Sequence, residues 1–486
     1  MKFLLLILSL VSINFKAQST DFELNSHVEK VYQEIVKMKL ASGRALLGVE
    51  KTNGFTPYLA SYADMIELMS LEKREKYEPF LDNQETRLES IEKLDKNSPY
   101  NLFLRGEIKL HTAFVKLKFG HDVKGAWDII KSYKLLAENA KRFPNFLPNQ
   151  KLLGILHILI GSTPDSYTWV LKILGLKGNV KLGLQELSSV AKKDSVWGQE
   201  AQLIHYLAKA YVLKMNPQEL NDFQQFVKVN ADNQLTVFFG TSVLTKEGRA
   251  EAALQILNTR PTSVEYLPLP FLEYQKAEIL LMKGQNAQAI ASYQKFLAWH
   301  KGFNFVKDGY YKIFLCHWLN NEEAKGKPFL EKVKTVGETF VEADKAAQKF
   351  AENFTKTIPS EKGLLKARFA CDGGYYDQAI DFLKNYQENT FERLTDRAEF
   401  NYRKGRIYQR MGDTDKAIPF FERTIVLSEG QNFSFGATAA LQLGYVFQEK
   451  GNKPLAKSYF EKALSYKKHE YKNSIDNKAR AALNEF

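Results

Sequence analysis

Four segments of this chain share one spacing of small and large residues, and that spacing leaves few folds open. Gly405, Tyr408, Gly412, Ala417 and Phe421 lie at offsets 0, 3, 7, 12 and 16. The same offsets from Gly444 give Phe447, Gly451, Ala456 and Phe460; from Ala277, they give Leu280, Gly284, Ala289 and Tyr293. From Ala367 they give Ala370, Gly374, Ala379 and Leu383. The spacing predicts a helix, a tight turn and a second, antiparallel helix. A small residue in the first helix and the alanine in the second permit a close crossing, and the large residues fill the space beside it. The middle glycine ends the first helix, because glycine takes the left-handed cap conformation cheaply. Asp413, Thr414 or Asp415 is then placed to cap the second. Pro454 falls where a helix starts and its missing N–H is harmless. Pro419, matched by Pro328 in PFFERT and PFLEKV, is expected in the first turn if Asp415 is the cap.

Weaker copies extend the array backwards, through LTKEGRAEAALQIL, YLAKAYVLKM and a degenerate unit around Phe314 with Asn321 at its turn. Anchors at 208, 241, 277, 314, 367, 405 and 444 are 33, 36, 37, 53, 38 and 39 residues apart. The gap of 53 holds an extra helical segment, VGETFVEADKAAQKFAENF. At the end, Ile475, Ala479, Ala482, Leu483 and Phe486 form one apolar stripe, as a solenoid needs to close its last face. Residues 398–427 resemble a tetratricopeptide repeat at nearly every signature position, with Asn401 and Thr424 as departures. The resemblance covers most of 201–466. It implies an all-α solenoid of helical hairpins with a right-handed superhelix, and a binding scaffold without catalytic residues.

The first half reads as helices too. Val28, Val31, Ile35 and Met38 make an amphipathic stripe, and Leu71-Glu-Lys-Arg-Glu-Lys reads as a solvated helix face. Residues 98–144 form a hairpin, with Gly120 closing its first helix and Ala126 at the crossing. The run Leu152-Leu-Gly-Ile-Leu-His-Ile-Leu-Ile160 is too short to span a bilayer, and reads as a helix buried on all sides with His157 satisfied inside it. Gly175, Leu176, Gly178, Asn179, Gly183 and Leu184 resemble a turn of the tetratricopeptide-repeat-protein-39 and inclusion-body-clearance family. That resemblance implies links to lipid handling and carries over no catalytic residue. The chain thus divides into a leader (1–19), N-terminal hairpins (20–145), an apolar hairpin with a glycine-rich turn (146–200), the repeat array (201–471) and a capping helix (472–486).

Lys2 followed by the apolar run Phe3–Ile13 and small residues at Ala17 and Ser19 has the form of a secretory signal peptide. Export to a periplasm or cell envelope, or secretion, is the expectation. Losing Lys2 and Lys16 with the leader takes the formal charge from +12 to about +10, without any dense basic run. A nucleic-acid partner is not expected. Cys316 and Cys371 fall on first helices of separate units, and read as buried and unpaired.

No chemistry-bearing motif stands out. GLKGNVKLG lacks the Gly-Lys-Ser/Thr ending of a phosphate loop, and Cys316-His317-Trp318 lacks a second pair of ligands. Catalytic residues, metal and cofactor are all read as none. In the resembled family the first helices line a concave groove. By that carry-over the partner-facing residues are Tyr274, Tyr311, Trp318, Arg368, Tyr402, Arg406, Gln409, Tyr445 and Gln448, with Arg410 four positions after Arg406 on the same helix face. Arginine and aromatic residues together suit an acidic or aromatic protein or peptide. The lysine–asparagine carboxylate clamp of chaperone-binding members is absent. The alternative is a lipid or hydrophobic-ligand protein, in peripheral contact with a membrane, that uses the 152–176 hairpin.

Overall fold

The computed structural model describes residues 21–49, 53–162, 176–354, 361–483 and 486, and its regular elements there are all helices. The expected leader lies outside these residues, as does the second arm of the apolar hairpin, 163–175. The N-terminal region comprises α1 (Ser26–Val36), α2 (Leu40–Leu47), α3 (Phe55–Leu71), α4 (Tyr77–Glu92) and the paired α5 (Pro99–Lys118) and α6 (Asp122–Arg142). Next come α7 (Asn149–Gly161), packed on α8 (Val180–Lys193), and then α9 (Gly198–Val212) and α10 (Pro217–Val229). Three hairpins follow: α11 (Gln234–Lys246) with α12 (Ala250–Thr259), α13 (Phe271–Met282) with α14 (Asn286–Trp299), and α15 (Val306–Leu319) with α16 (Glu323–Thr335). The long gap forms α17 (Glu342–Asn353). The C-terminal block pairs α18 (Lys362–Gly373) with α19 (Tyr376–Leu383), α20 (Leu394–Met411) with α21 (Thr414–Leu427), and α22 (Phe435–Glu449) with α23 (Lys453–Ser465). It ends on α24 (Lys472–Leu483), whose Ile475, Ala479 and Ala482 are buried.

The repeat hairpins cross where the spacing places them. A Cβ on Gly405 would lie 2.8 Å from the Phe421 ring, and one on Gly444 2.4 Å from the Phe460 ring. Gly284, Gly374, Gly412 and Gly451 all have positive φ at their turns, and Asn321 (φ 63°) does the same work in the degenerate unit. There the sizes are exchanged. Phe314 occupies the small position, and Gly326, twelve residues on, supplies the room, its own Cβ position lying 3.0 Å from Phe314. Cys316 and Cys371 are buried free thiols.

Several details differ from the sequence reading. Of the three cap candidates it is Asp413 that caps α21, accepting from the Lys416 N–H; the condition that would keep Pro419 in the first turn is therefore not met, and Pro419 sits beyond the four orphan N–H groups. Pro328 is likewise inside α16, and both prolines are exposed, where water can reach the carbonyl each leaves unpaired. In the α5–α6 hairpin Ala126 is exposed, and Gly125 makes the crossing, against Leu117 and Ala113. The charged segment after Leu71 is solvated in part: Arg74, Glu75 and Lys76 are exposed on a 3-10 turn, but Glu72 is not. Glu72 has φ 53° and is 3% exposed.

The array also changes direction. After α17 the chain does not stack onward; α18 packs against α11 and α13. This brings the turn at Gly374 onto the turn at Gly248, so close that a Cβ on Gly374 would lie 1.9 Å from the Gly248 carbonyl oxygen. The N-terminal helices meanwhile reach across to the middle repeats. The Leu267 N–H donates to the Met38 carbonyl (2.8 Å), and Lys37 and Lys39 pair with Asp232 and Glu265. Farther along, the Phe303 and Asn304 N–H groups both donate to Glu72, each at 2.9 Å.

Candidate functional site

These crossings leave a cavity of about 880 Å³ between the N-terminal helices and the repeats. One wall is α3, through Tyr62, Met65, Ile66 and Met69, with Phe114 of α5 beside it. The facing wall comes from first helices of the repeats: Leu203, Ile204 and Leu207 of α9, Phe238 and Phe239 of α11, and Phe271 and Tyr274 of α13. Helical spacing places these residues on one face of each helix, which is the face a superhelix turns inward. Ile155 of the apolar run reaches the same space. Of the rest of that run Leu152, Leu156, Ile158 and Ile160 are buried, but Leu159 is 40% exposed, so the helix is not buried on all sides. His157 is satisfied by the Glu186 carboxylate at 2.6 Å.

Under the cavity floor lies a buried charge network. Lys151, with no exposed side-chain surface, donates to Glu107 (2.6 Å) and to Glu200 (2.8 Å). Tyr32 and Tyr62 each donate to Glu200 at 2.5 Å. Burial pushes Glu107 up to about 7, and Glu200 adds to the rise against the pull of Lys151. Burial also acts on Glu200, yet the ammonium and the two tyrosines hold it below the usual carboxylate range. At the other end of the cavity Glu72 is held at about 2, despite burial, by neighbouring His300, Lys118 and the Asn304 N–H. Sequence reasoning missed this whole assembly. Lys151 and its partners are 44 and 49 positions apart, and no local pattern links them.

The residues expected to face a groove are divided by the structure. Tyr274 is buried in the cavity wall, its hydroxyl donating to Asp308. Tyr311 is covered by Phe350 of α17, with ring centroids 4.8 Å apart. Trp318 is buried beneath the Lys362 ammonium, and Tyr402 is buried against Phe421 and Phe435. Arg368 is exposed, 3.7 Å from Asp372. Two causes cover these side chains: α3, α17 and α18 lie over the first helices of the middle repeats at Tyr274, Tyr311 and Trp318, whereas Tyr402 is packed within the C-terminal block by α21 and α22.

Farther along, Arg406, Gln409 and Arg410 do come together. Arg406 donates to the side-chain amides of Gln409 and Gln442, and Arg410 approaches the Glu247 carbonyl at 3.5 Å. Tyr445 lies between Phe460 and the Lys214 ammonium, with Gln448 half-buried one turn on. The fold adds cations that sequence reasoning did not assign to this face. Burial holds Lys478 of α24 below its usual value; Lys246 and Arg406 add to the fall, and Glu247, ion-paired with Lys246, opposes it. Arg249, Arg406 and Arg410 all act on Tyr376. Among the described residues neither Arg406 nor Arg410 has a carboxylate ion-pair partner. No group of three His, Cys, Asp or Glu there is arranged to hold a metal ion, and no described helix is long and apolar enough to cross a membrane.

The tetratricopeptide repeat family model matches residues 398–427 and 437–470. No curated protein matches the chain. Among solved structures, the chain is similar to the tetratricopeptide repeat domain of P58(IPK), at 13% identity over 87% of this chain and 98% of that one, with a TM-score of 0.21. It is similar to human IFIT1 (dimer with PPP-AAAA) at 13% identity, over 92% of this chain and 96% of that one, with a TM-score of 0.32. Yeast Tom70 is 12% identical over 94% of this chain and 81% of that one, with a TM-score of 0.25. The described residues form an all-helical solenoid, in which α20–α23 and the segment that follows them match the tetratricopeptide repeat.

Proposed function

We propose that this protein is a non-catalytic scaffold that holds a partner protein, and that the partner docks an acidic segment across the cationic face of α20 and α24. The supporting observation is the convergence of Arg406 and Arg410 with Lys246, Arg249 and Lys478. Arg406 has neutral amide partners, so a carboxylate that displaces them gains a charge-assisted hydrogen bond. Tyr445, half-buried beside Lys214, offers an aromatic edge to the same partner. A fluorescein-labelled, glutamate-rich peptide tests the reading by anisotropy. Wild type binds it with affinity that falls as salt rises. Arg406→Glu with Arg410→Glu weakens binding by at least about tenfold at unchanged helicity. Binding that ignores both the substitutions and the salt sinks the reading.

Export belongs to the same proposal and rests on Lys2 and the apolar run Phe3–Ile13. It predicts a mature N-terminus near residue 20, read by mass spectrometry of the protein from its own cells. Membership in the tetratricopeptide-repeat-protein-39 and inclusion-body-clearance family is likewise proposed, on the glycine-rich turn at 175–184.

A further inference from the structure

The cavity beneath α3 is a second binding feature, which shares Lys246 at its mouth with the cationic face and is otherwise built from other residues. Its volume of about 880 Å³ lies within the range that small-molecule sites occupy. Its walls are chiefly methionine, leucine, isoleucine and aromatic side chains. It reaches the surface beside Tyr211, which is 49% exposed, and Lys246.

The polar groups in the walls say what kind of molecule fits. Glu200 already accepts from Tyr32, Tyr62 and Lys151. Glu278 is paired with Lys312 and Tyr293, and Glu72 with Lys118 and two backbone N–H groups. The two lining lysines are themselves taken, Lys118 by Glu72 and Lys246 by Glu247, each at 2.7 Å, so a carboxylate headgroup buried here finds no unpaired ammonium to offset its lost hydration. Gln275 is different. It is 8% exposed, and its Nε2 donates to the Phe238 carbonyl at 3.0 Å, which fixes the amide. Its Oε1 is then buried without a hydrogen-bond partner, and so is Thr245 Oγ1 in the same wall. A buried acceptor without a donor is costly, and a ligand hydroxyl or amide removes that cost.

We propose that this cavity binds an uncharged amphiphile: an apolar chain or ring system ending in a hydroxyl or amide that donates to Gln275 Oε1. The site is built chiefly from α3, α9, α11 and α13, and takes Ile155 alone from the described part of the 152–176 hairpin considered on sequence grounds.

The test uses the full chain and the neutral dye Nile red as the probe. Wild type takes up the dye with a rise in fluorescence, and dodecanol displaces it at least about tenfold more effectively than dodecanoate at pH about 8. Leu207→Trp fills the cavity and abolishes dye uptake, with Ile204→Trp on the same wall as the second variant if the first does not fold. Gln275→Met leaves dye uptake intact and weakens dodecanol by about fivefold, the loss of one hydrogen bond. Three results overturn the proposal: no dye uptake by folded wild type, equal uptake by a folded filled variant, or dodecanoate competing as well as dodecanol. None of them bears on glutamate-rich peptide binding, so the two readings fail separately.

Discussion

Removing a charge from water costs several kcal/mol unless a partner compensates it, so Lys151 owes its place to Glu107 and Glu200. Lys151→Met leaves two buried carboxylates facing each other, and is expected to lower stability by about 3–5 kcal/mol in denaturant unfolding. The same network sets a pH dependence. Between about 4.5, its ordinary value, and about 7, folded Glu107 keeps a proton that the unfolded chain has released. Stability therefore falls as pH rises through that window. Burial pushes Asp308 and Asp344 up to about 6, and they act in the same direction. Glu72 acts oppositely: its contribution is present above about 4.5 and is lost as pH falls toward about 2. Burial holds His111 and His205 below their ordinary value of 6.5, so their contribution to stability is lost as pH falls beneath that value; the effect of Glu107 is expected above it, as a melting temperature that falls from about pH 6.5 to about pH 8. Glu107→Gln should shrink that difference, and an unchanged difference removes Glu107 as its source. None of these residues is marked in the sequence, because their partners come from distant helices. Gly405 and Gly444 were legible for the opposite reason: each meets its phenylalanine sixteen positions on, within one hairpin.

At the scale of helices, the local rules worked where one hairpin supplies both sides of a contact. Positive-φ glycines at the turns, and Pro454 at the start of α23, follow from backbone geometry alone. Pro419 shows the limit. Asp413, Thr414 and Asp415 follow one another and each could cap a helix, so the sequence left the start of α21 open by two residues, and only a cap at Asp415 would have kept Pro419 in the first turn. Pro419 therefore removes an internal hydrogen bond, and Pro419→Ala should raise stability by about 1 kcal/mol or more in denaturant unfolding. Ala417, with no exposed surface, lies at the crossing of the same hairpin. Ala417→Trp should cost on the order of 1–3 kcal/mol through overpacking. The glycine-rich turn found its explanation only in the structure. Gly178 lies on Gly161 and Gly183 on Gly154, so α7 and α8 touch backbone to backbone. Asn179 caps α8 by accepting from the Leu182 N–H at 2.9 Å.

At the scale of the molecule, the repeat period gave the six hairpins from α11 onward, but not the packing of α9, the helix of the first anchor, on α8, nor the path of the array. The extra helix α17 was visible as a gap of 53, yet its consequence, the return of α18 onto α11 and α13, depends on long-range packing. Likewise, nothing local announced that α3 and α5 would cover the middle repeats. That covering buries Tyr274 and makes the cavity, while Arg406 and Arg410 stay together at the other end. Contact between Gly374 and Gly248 holds the C-terminal block in place. Gly374→Val should loosen it, seen as faster hydrogen exchange in both turns. The central claim is that the cationic face of α20 and α24 holds a partner protein. Its most direct test is in-cell cross-linking of the tagged full chain, followed by mass spectrometry, for wild type beside Arg406→Glu with Arg410→Glu. The account predicts a reproducible partner, cross-linked through an acidic segment to α20 or α24, that the double variant loses. A partner captured equally by both proteins, or cross-linked only elsewhere, would contradict it.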